Sequence, residues 1–354
     1  MPHKGRGAVS RPAGRFDKRP VEFDDEEAAK RAERNPATTL TAMQAGTIIS
    51  HNASPDVPFD RSINPYQGCE HGCIYCYARP SHSYLDLSPG LDFETRIFYK
   101  PNAASRLLET WEKRSYVCKP ITIGANTDPY QPAEKSLTIT RQLLERFLEH
   151  KHPVSLITKS HLVIRDLDIL EQLAELNLCS VAISLPTLDD ALKRIMEPRV
   201  PSAEARLRAI EKLGKAGIAT SVLMAPLIPA INDAEIERVV AAAADAGARQ
   251  AAYIFLRLPH EVKQLFVEWL EAHFPDRGER VMSLVRQASG GRDYDSRFGH
   301  RQTGRGAYAE MLGKRFRAAC RRHGLADGRY QQNLACNLFE PPGRHQMGLD
   351  LGYS

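Results

Sequence analysis

Residues 69–76 read CEHGCIYC, so three cysteines fall within eight positions in a C-x3-C-x2-C arrangement. Soft thiolate ligands suit both zinc and iron–sulfur clusters. A structural zinc site needs four protein ligands, and the fourth would have to be His71, His82 or a distant cysteine. A [4Fe–4S] cluster held only by Cys69, Cys73 and Cys76 would instead leave one iron open to a substrate or cofactor. The loop therefore indicates a metal centre, and the missing fourth cysteine favours the cluster.

The composition of the whole chain agrees with a metal protein of a reducing compartment. The chain has 354 residues and seven cysteines, an odd number that suits metal ligation better than a disulfide framework. A chain of this length buries a large core without disulfides. No apolar run approaches the roughly 18 residues that span a bilayer, and the polar N-terminus lacks a signal-peptide core. We expect a soluble cytoplasmic protein with no membrane partner.

Strand-like and helix-like segments alternate after the cysteine loop. Short apolar runs occur at 121–125, 154–158, 179–185, 218–224 and 251–256. Each run leads into a helical pattern, which is typical of βα units around a parallel sheet. With the strand that leads into Cys69 there are six strands, two fewer than a complete barrel requires. The predicted fold class is α/β, a partial (β/α)6 TIM-like barrel with N- and C-terminal extensions.

The barrel prediction places the chemistry at one end of the molecule. Active sites of parallel α/β barrels lie at the C-terminal ends of the strands. This rule predicts that the cysteine loop shares one rim with Asn126, Thr127, Asp128, Lys159 and Ser184.

Charge is distributed unevenly along the chain, whose formal net charge is +5. Residues 1–40 are rich in Arg, Gly, Pro and acidic groups, so we expect a disordered or loosely attached extension. The barrel core is expected at 41–275, and residues 276–354 form a basic extension. Between Arg277 and Tyr330 there are thirteen basic residues and five acidic ones. Such a surface attracts a polyanion, or it is simply a solvated helix face.

The residues around the cysteines carry a family resemblance. Residues 62–79 read SINPYQGCEHGCIYCYAR, 127–132 read TDPYQP and 225–233 read APLIPAIND. These stretches resemble the radical S-adenosylmethionine (SAM) superfamily, in the branch related to spore photoproduct lyase. The resemblance implies that the amino and carboxylate groups of SAM chelate the open iron of a [4Fe–4S] cluster. It also implies that a reduced donor such as flavodoxin or ferredoxin supplies one electron, and that the resulting 5′-deoxyadenosyl radical takes hydrogen from a substrate.

The same resemblance implies cofactor-binding roles for residues on the rim. Tyr75 would pack against the cluster or the adenine. Thr127 and Asp128 would bind the amino group of SAM, and an Asx turn before Pro129 is an equal alternative. Lys159 matches a lysine of the lyases that reaches the carboxylate of SAM.

Three further assignments rest on the resemblance. Ser184 would contact the ribose or carboxylate of SAM, with a plain small residue at a strand end as the alternative. Arg199 would contact the cofactor or an anionic substrate. Tyr75 and Tyr77 match tyrosines considered for hydrogen relay in the lyases, with packing as the alternative.

One departure from the lyases affects the predicted activity. In spore photoproduct lyase a cysteine just before the polar residues of the second strand donates hydrogen to the product radical. Ala125 and Asn126 stand in that position here. The resemblance therefore argues for the cofactor chemistry and against the lyase reaction itself.

Two classes of function follow from these patterns. The first is a radical SAM enzyme acting on an unknown substrate. Nucleic acid is the first candidate substrate, because of the lyase resemblance and the basic C-terminal stretch, and a peptide or small metabolite is the second. The second class is a non-catalytic, zinc-stabilised nucleic-acid-binding protein.

Overall fold

The structure is a computed structural model that describes residues 3–16, 37–328 and 333–343. Its strands, in chain order, are β1 (Thr39–Ala42), β2 (Ile49–His51), β3 (Arg61–Ile63), β4 (Tyr66–Gln67), β5 (Arg96–Tyr99), β6 (Ile121–Ile123), β7 (Val154–Thr158), β8 (Cys179–Ser184), β9 (Ala219–Leu227), β10 (Gln250–Phe255) and β11 (Ala326–Asp327).

Eight of these strands form the main sheet, in the order β11-β10-β9-β8-β7-β6-β3-β2. From β3 to β10 every pair of neighbours is parallel. These six strands confirm the predicted partial (β/α)6 barrel. The edge strand β2 is antiparallel to β3, and β11 is parallel to β10. No pairing within the described residues joins the two edges, so the barrel is open.

Helices cover the outer face of the sheet and connect successive strands. The α-helices are Leu91–Thr95, Ala103–Trp111, Glu134–Leu137, Ile139–Glu149, Leu167–Glu175, Asp190–Met196, Ala203–Lys215, Ile236–Asp245, Val262–His273, Gly278–Ala288 and Ala307–Arg322. Within the described ranges, no helix has both the length and the hydrophobicity needed to cross a membrane.

The central strand β8 shows how the sequence opens the middle of the barrel. Successive side chains of a strand point to opposite faces. Val181 and Ile183 belong to the hydrophobic core. The alternate residues Ser180, Ala182 and Ser184 line a cavity on the other face. Because these inward side chains are small, they leave the barrel interior unfilled.

The N-terminal extension departs from its prediction over residues 3–16. The backbone N–H groups of Gly7 and Ala8 donate to the Glu94 carboxylate at 3.0 and 2.8 Å, and Ala8 is fully buried. These contacts are made by the backbone, which is why composition suggested a loosely attached segment. Residues 17–36, to which the expectation of disorder also applied, lie outside the described residues.

The C-terminal extension packs on the barrel and bridges its open side. Helix Ala307–Arg322 contacts helix Ile236–Asp245 on the outer layer. The loop before it reaches the loop between β2 and β3, where Asp56 accepts hydrogen bonds from Gly299 N at 2.7 Å and from Arg301 at 2.5 Å. This contact links the first and last strands of the open barrel. The expected boundaries after residues 40 and 275 remain predictions.

A histidine in the core has a defined protonation state. The His152 ring stacks on Trp111 with 4.6 Å between ring centroids. Its Nδ1 lies 3.0 Å from the carbonyl of Pro153, which can only accept, so Nδ1 carries the proton. Its Nε2 is then the acceptor for the Tyr116 hydroxyl at 2.7 Å. The neutral ring satisfies both partners, and burial disfavours the charged ring.

We expect this histidine to make the fold sensitive to mild acid. Burial, with smaller effects of Arg61 and His150, lowers the pKa of His152 from 6.5 to about 3. The pKa of His152 is lower in the folded chain than in the unfolded chain. Its contribution to the free energy of unfolding is therefore complete above about pH 6.5 and is lost as the pH falls towards 3. The free energy of unfolding should fall by about 2 kcal/mol from this group between pH 7 and pH 5.

A His152→Gln variant isolates this contribution, because all other titrating groups are common to both proteins. Urea denaturation at pH 7 and pH 5 should show the difference in unfolding free energy between wild type and variant shrinking by about 2 kcal/mol. A difference that stays constant between the two pH values would contradict the assignment.

Candidate active site

A buried ion pair shapes the cysteine loop, which comprises residues 69–76. Arg79 and Glu94 both have fully buried side chains, and their charged atoms are 2.5 Å apart. Arg79 also donates to the carbonyl oxygens of Cys73 at 3.0 Å and Gly72 at 3.2 Å. Arginine presents five donors in a rigid fork, so one side chain can bind several carbonyls of a tight loop. The loop conformation therefore depends on a residue just outside the motif.

Two glycines allow the N-terminal segment to pack against this loop. Gly72 has φ +67°, and a Cβ there would lie 2.7 Å from a Glu94 oxygen. A Cβ on Gly7 would lie 1.8 Å from the carbonyl oxygen of Gly72. Both positions exclude a side chain, because real Cβ atoms do not approach other atoms so closely. Residues 6–8 therefore cover one side of the cysteine loop.

Gln131 fixes the start of the loop from the next strand unit. Its amide nitrogen donates to the carbonyl of Gly68 at 3.2 Å, and its oxygen accepts from Glu70 N at 2.9 Å. The side chain is fully buried. Gln131 was contained in the TDPYQP stretch, but the sequence interpretation gave it no role.

A cavity of about 670 Å³ lies beside the loop, inside the barrel. All three cysteines of the motif line it. Five other predicted site residues line it as well: Tyr75, Tyr77, Asp128, Lys159 and Ser184. The structure thus brings together, at the C-terminal ends of the strands, most of the residues that the sequence pointed to.

Asp128 ties the ends of β6 and β7 together. Its Oδ1 accepts from Tyr130 N at 2.9 Å, which is an Asx turn, and from the Thr158 hydroxyl at 2.6 Å. Its Oδ2 accepts from Lys159 N at 2.7 Å. The turn suggested as an alternative for Asp128 is therefore present, while the carboxylate still lines the cavity.

His71 forms a charged pair with this carboxylate. Its Nδ1 lies 3.3 Å from Asp128 Oδ2, and both side chains are buried. Burial by itself lowers the pKa of His71, but the charges of Asp128 and Cys69 outweigh it and raise that pKa to about 10. Burial raises the pKa of Asp128, and His71 more than compensates and brings it to about 2. The sequence interpretation considered His71 only as a fourth zinc ligand.

A second buried chain of contacts supports Tyr75. The Tyr75 hydroxyl donates to Glu197, which forms a 2.9 Å ion pair with Arg206, and both charged side chains are fully buried. Arg206 in turn donates to the carbonyl of Ser184 at 2.9 Å. The Lys159 ammonium lies 5.9 Å from the centre of the Tyr75 ring. The sequence offered no reason to select Glu197 or Arg206. Glu197 was a charged residue in a predicted loop, and Arg206 was a charged residue in a predicted helix.

Tyr77 stands on the other side of Cys76. Its hydroxyl donates to the carbonyl of Ala125. The guanidinium of Arg257 lies 5.0 Å from the centre of its ring. A lone arginine after a strand gave no sequence signal, and Arg257 was missed.

Two predicted cofactor-binding residues do not line the cavity. The Thr127 hydroxyl donates to the carbonyl of Tyr66 at 2.8 Å, and the side chain is buried. Arg199 lies 3.2 Å from the Glu70 carboxylate. The structure shows a protein partner for each of these side chains, and their predicted cofactor contacts stay predictions.

The donor set fits a cluster better than a single ion. Within the described residues, no three His, Cys, Asp or Glu side chains converge as ligands of one metal ion. Zinc holds each thiolate at about 2.3 Å and so draws its ligands together. In a [4Fe–4S] cluster each thiolate binds a different iron, so the sulfurs stay further apart. All three thiols line one cavity, as a cluster held by Cys69, Cys73 and Cys76 requires.

Comparison with known sequences identifies relatives over most of the barrel. The sequence model of the radical SAM superfamily matches residues 63–243. The uncharacterized protein Mb2609c of Mycobacterium bovis is 34% identical over 233 residues, which are 65% of this chain and 68% of the relative. The uncharacterized protein MJ0683 of Methanocaldococcus jannaschii is 27% identical over 219 residues, which are 62% of this chain and 78% of the relative.

Comparison with solved structures finds the same fold. Spore photoproduct lyase complexed with dinucleoside spore photoproduct aligns with a TM-score of 0.60 and 17% identity, covering 89% of this chain and 88% of the lyase. A variant of that lyase with bound AdoMet and the same dinucleoside gives a TM-score of 0.59 and 16% identity, covering 90% and 89%. At this identity the likeness concerns the fold.

Proposed function

The chain belongs to the radical SAM superfamily, and on that premise we propose that it is an enzyme that cleaves SAM reductively and abstracts hydrogen from a substrate. The observation that carries the proposal is the shared cavity of Cys69, Cys73, Cys76 and Lys159 at the strand ends. When bound, a [4Fe–4S] cluster and SAM would supply the electron transfer and the 5′-deoxyadenosyl radical.

The chain's own residues would bind and position these groups. Cys69, Cys73 and Cys76 would hold the cluster. Within the described residues no carboxylate lies within 4.0 Å of the Lys159 ammonium, which leaves it available to the carboxylate of SAM. The Tyr75 ring, held through Glu197, forms a rigid wall of the same cavity. A site on strand ends with buried supports is preorganised for this chemistry.

Nucleic acid is the proposed substrate class. The excess of eight positive charges between Arg277 and Tyr330 supports it, since phosphate binding is driven by such charge. The fold is similar to that of spore photoproduct lyase, one structure of which holds a dinucleoside. Ala125 replaces the hydrogen-donating cysteine of the lyases, so we propose a different final step. A reduced donor such as flavodoxin or ferredoxin and a cytoplasmic location belong to the same proposal.

Anaerobic reconstitution tests the proposed function directly. The wild-type protein should take up about four irons per chain, turn brown with an absorbance band at about 400 nm, and form 5′-deoxyadenosine from SAM with dithionite. The rival hypothesis of a zinc-stabilised, non-catalytic binding protein has no support from the donor set. A colourless protein with stoichiometric zinc and no 5′-deoxyadenosine would nevertheless establish it and reject ours.

A further inference from the structure

The charge balance of the cavity leaves two cations for ligands. The cationic side chains that line it are His71, Lys119, Lys159 and Arg257. Lys119 lies 2.6 Å from Asp60, and His71 lies 3.3 Å from Asp128. The other two have no carboxylate within 4.0 Å in the part of the chain that the structure describes. Lys159 is proposed above to bind the carboxylate of SAM, which leaves Arg257 for a separate anion.

Arg257 has donors that no group among the described residues uses. Its Nη2 makes one long hydrogen bond, 3.3 Å, to the hydroxyl of Tyr294. Its Nε is buried and has no hydrogen-bond acceptor among the described residues. That Nε has almost no accessible surface, so a ligand in the cavity would meet the guanidinium through its Nη groups. The planar guanidinium fork matches the geometry of phosphate or carboxylate.

The surroundings of Arg257 favour a phosphate that belongs to a nucleotide. The Tyr77 ring is 43% exposed, and the Arg257 guanidinium lies 5.0 Å from its centre. Outside the cavity lining, on the loop that closes the open side of the barrel, Phe298 is 56% exposed and lies 4.7 Å from the Arg301 guanidinium. Exposed rings paired with arginines are typical of sites where bases stack and phosphates bind. A small dicarboxylate would use Arg257 but not the Tyr77 ring beside it.

We propose that Arg257 binds a phosphate of a nucleotide substrate, beside the part of the cavity that takes SAM. This inference rests on the proposed function, because it names the substrate class of the same site. Lys159 and Arg257, which have no carboxylate partner among the described residues, lie over the two tyrosines that flank Cys76: Lys159 over Tyr75 and Arg257 over Tyr77. A nucleotide anchored at Arg257 would thus lie next to the cofactor rather than in its place.

Binding measurements on the anaerobically reconstituted protein test the proposal without turnover. The probes are thymidine 5′-monophosphate, thymidine, inorganic phosphate, succinate and a 5′-phosphorylated single-stranded oligonucleotide. The wild type should bind the monophosphate about 10- to 100-fold more tightly than thymidine, as expected for hydrogen bonds to a charged group. Arg257→Met should remove this preference, and Arg257→Lys should restore part of it, because the charge returns without the fork.

Arg249→Met is the matched control, since Arg249 is exposed and lies before the opposite end of β10. It should keep the wild-type preference for the monophosphate.

Equal binding of monophosphate and thymidine, no binding of either, or tighter binding of succinate would each overturn the proposal. So would an Arg257→Met variant that loses SAM affinity as strongly as nucleotide affinity, since Arg257 would then serve the cofactor. Comparing the affinity for the 5′-phosphorylated oligonucleotide with that for the monophosphate shows whether the substrate is a strand end or a free nucleotide. Failure of SAM cleavage by the wild type would reject the proposed function instead, and the binding data would still decide on Arg257.

Discussion

Replacement of Cys73 by alanine is expected to abolish iron loading and the cleavage of SAM. Cys73 is 7% exposed and sits in the middle of the cysteine loop, so no other thiol can take its place without rebuilding that loop. A cluster held by two thiolates loses a ligand of one iron and is expected to dissociate. Iron should fall from about four to below about one per chain. Formation of 5′-deoxyadenosine should fall by at least about 1,000-fold, because the cofactor carries the chemistry.

Cys320→Ala is the matched control for this experiment. Cys320 is fully buried in helix Ala307–Arg322, belongs to the core and does not line the cavity. It should keep wild-type iron content and at least half of the activity after the same reconstitution. Full SAM cleavage by the Cys73→Ala protein would reject the assignment of the cysteines. Equal loss in both variants would show that the effect is general instability.

The six barrel strands could be predicted because each one is a local pattern. A short apolar run followed by a helical period signals one βα unit, and parallel strands place their ends on one rim. That rule was sufficient to expect Lys159 and Ser184 near the cysteine loop, and the structure places both on the cavity wall. Periodicity and topology therefore gave the position of the site.

The supports of the site could not be predicted, because they are pairs distant in the chain. Glu94 binds Gly7 N and Ala8 N across 87 and 86 positions, and Tyr75 reaches Glu197 across 122. Such contacts follow from the tertiary fold and leave no spacing to recognise. The hydrogen bond from the Thr127 hydroxyl to the carbonyl of Tyr66 is another contact of this kind, which the motif around Thr127 did not reveal.

The buried pair of Arg79 and Glu94 also sets the stability of the cysteine loop, and Arg79→Met tests it. The substitution should lower the free energy of unfolding by about 3–5 kcal/mol, because it leaves Glu94 as a buried charge without its counter-ion. It also removes the donors to the carbonyls of Gly72 and Cys73, so iron loading should fall even though every cysteine remains. Urea denaturation and iron content after reconstitution measure the two effects.

The double variant Arg79→Met/Glu94→Gln keeps this prediction testable if the single variant folds poorly. Because both charges of this buried pair are then absent, the double variant should recover at least about 1 kcal/mol of the lost stability. Arg208→Met is the matched control, because Arg208 pairs with Glu204 on an exposed helix face, and it should cost less than about 0.5 kcal/mol. Equal effects of Arg79→Met and Arg208→Met would show that the buried pair does not hold the loop. A double variant less stable than Arg79→Met would show that Glu94 acts mainly through the backbone of residues 7 and 8. Arg79→Met and the double variant both lack the Arg79 hydrogen bonds to the loop carbonyls, whereas only Arg79→Met leaves the Glu94 charge without its counter-ion. Comparing the iron content of these two variants therefore separates the contribution of the hydrogen bonds from that of the ion pair.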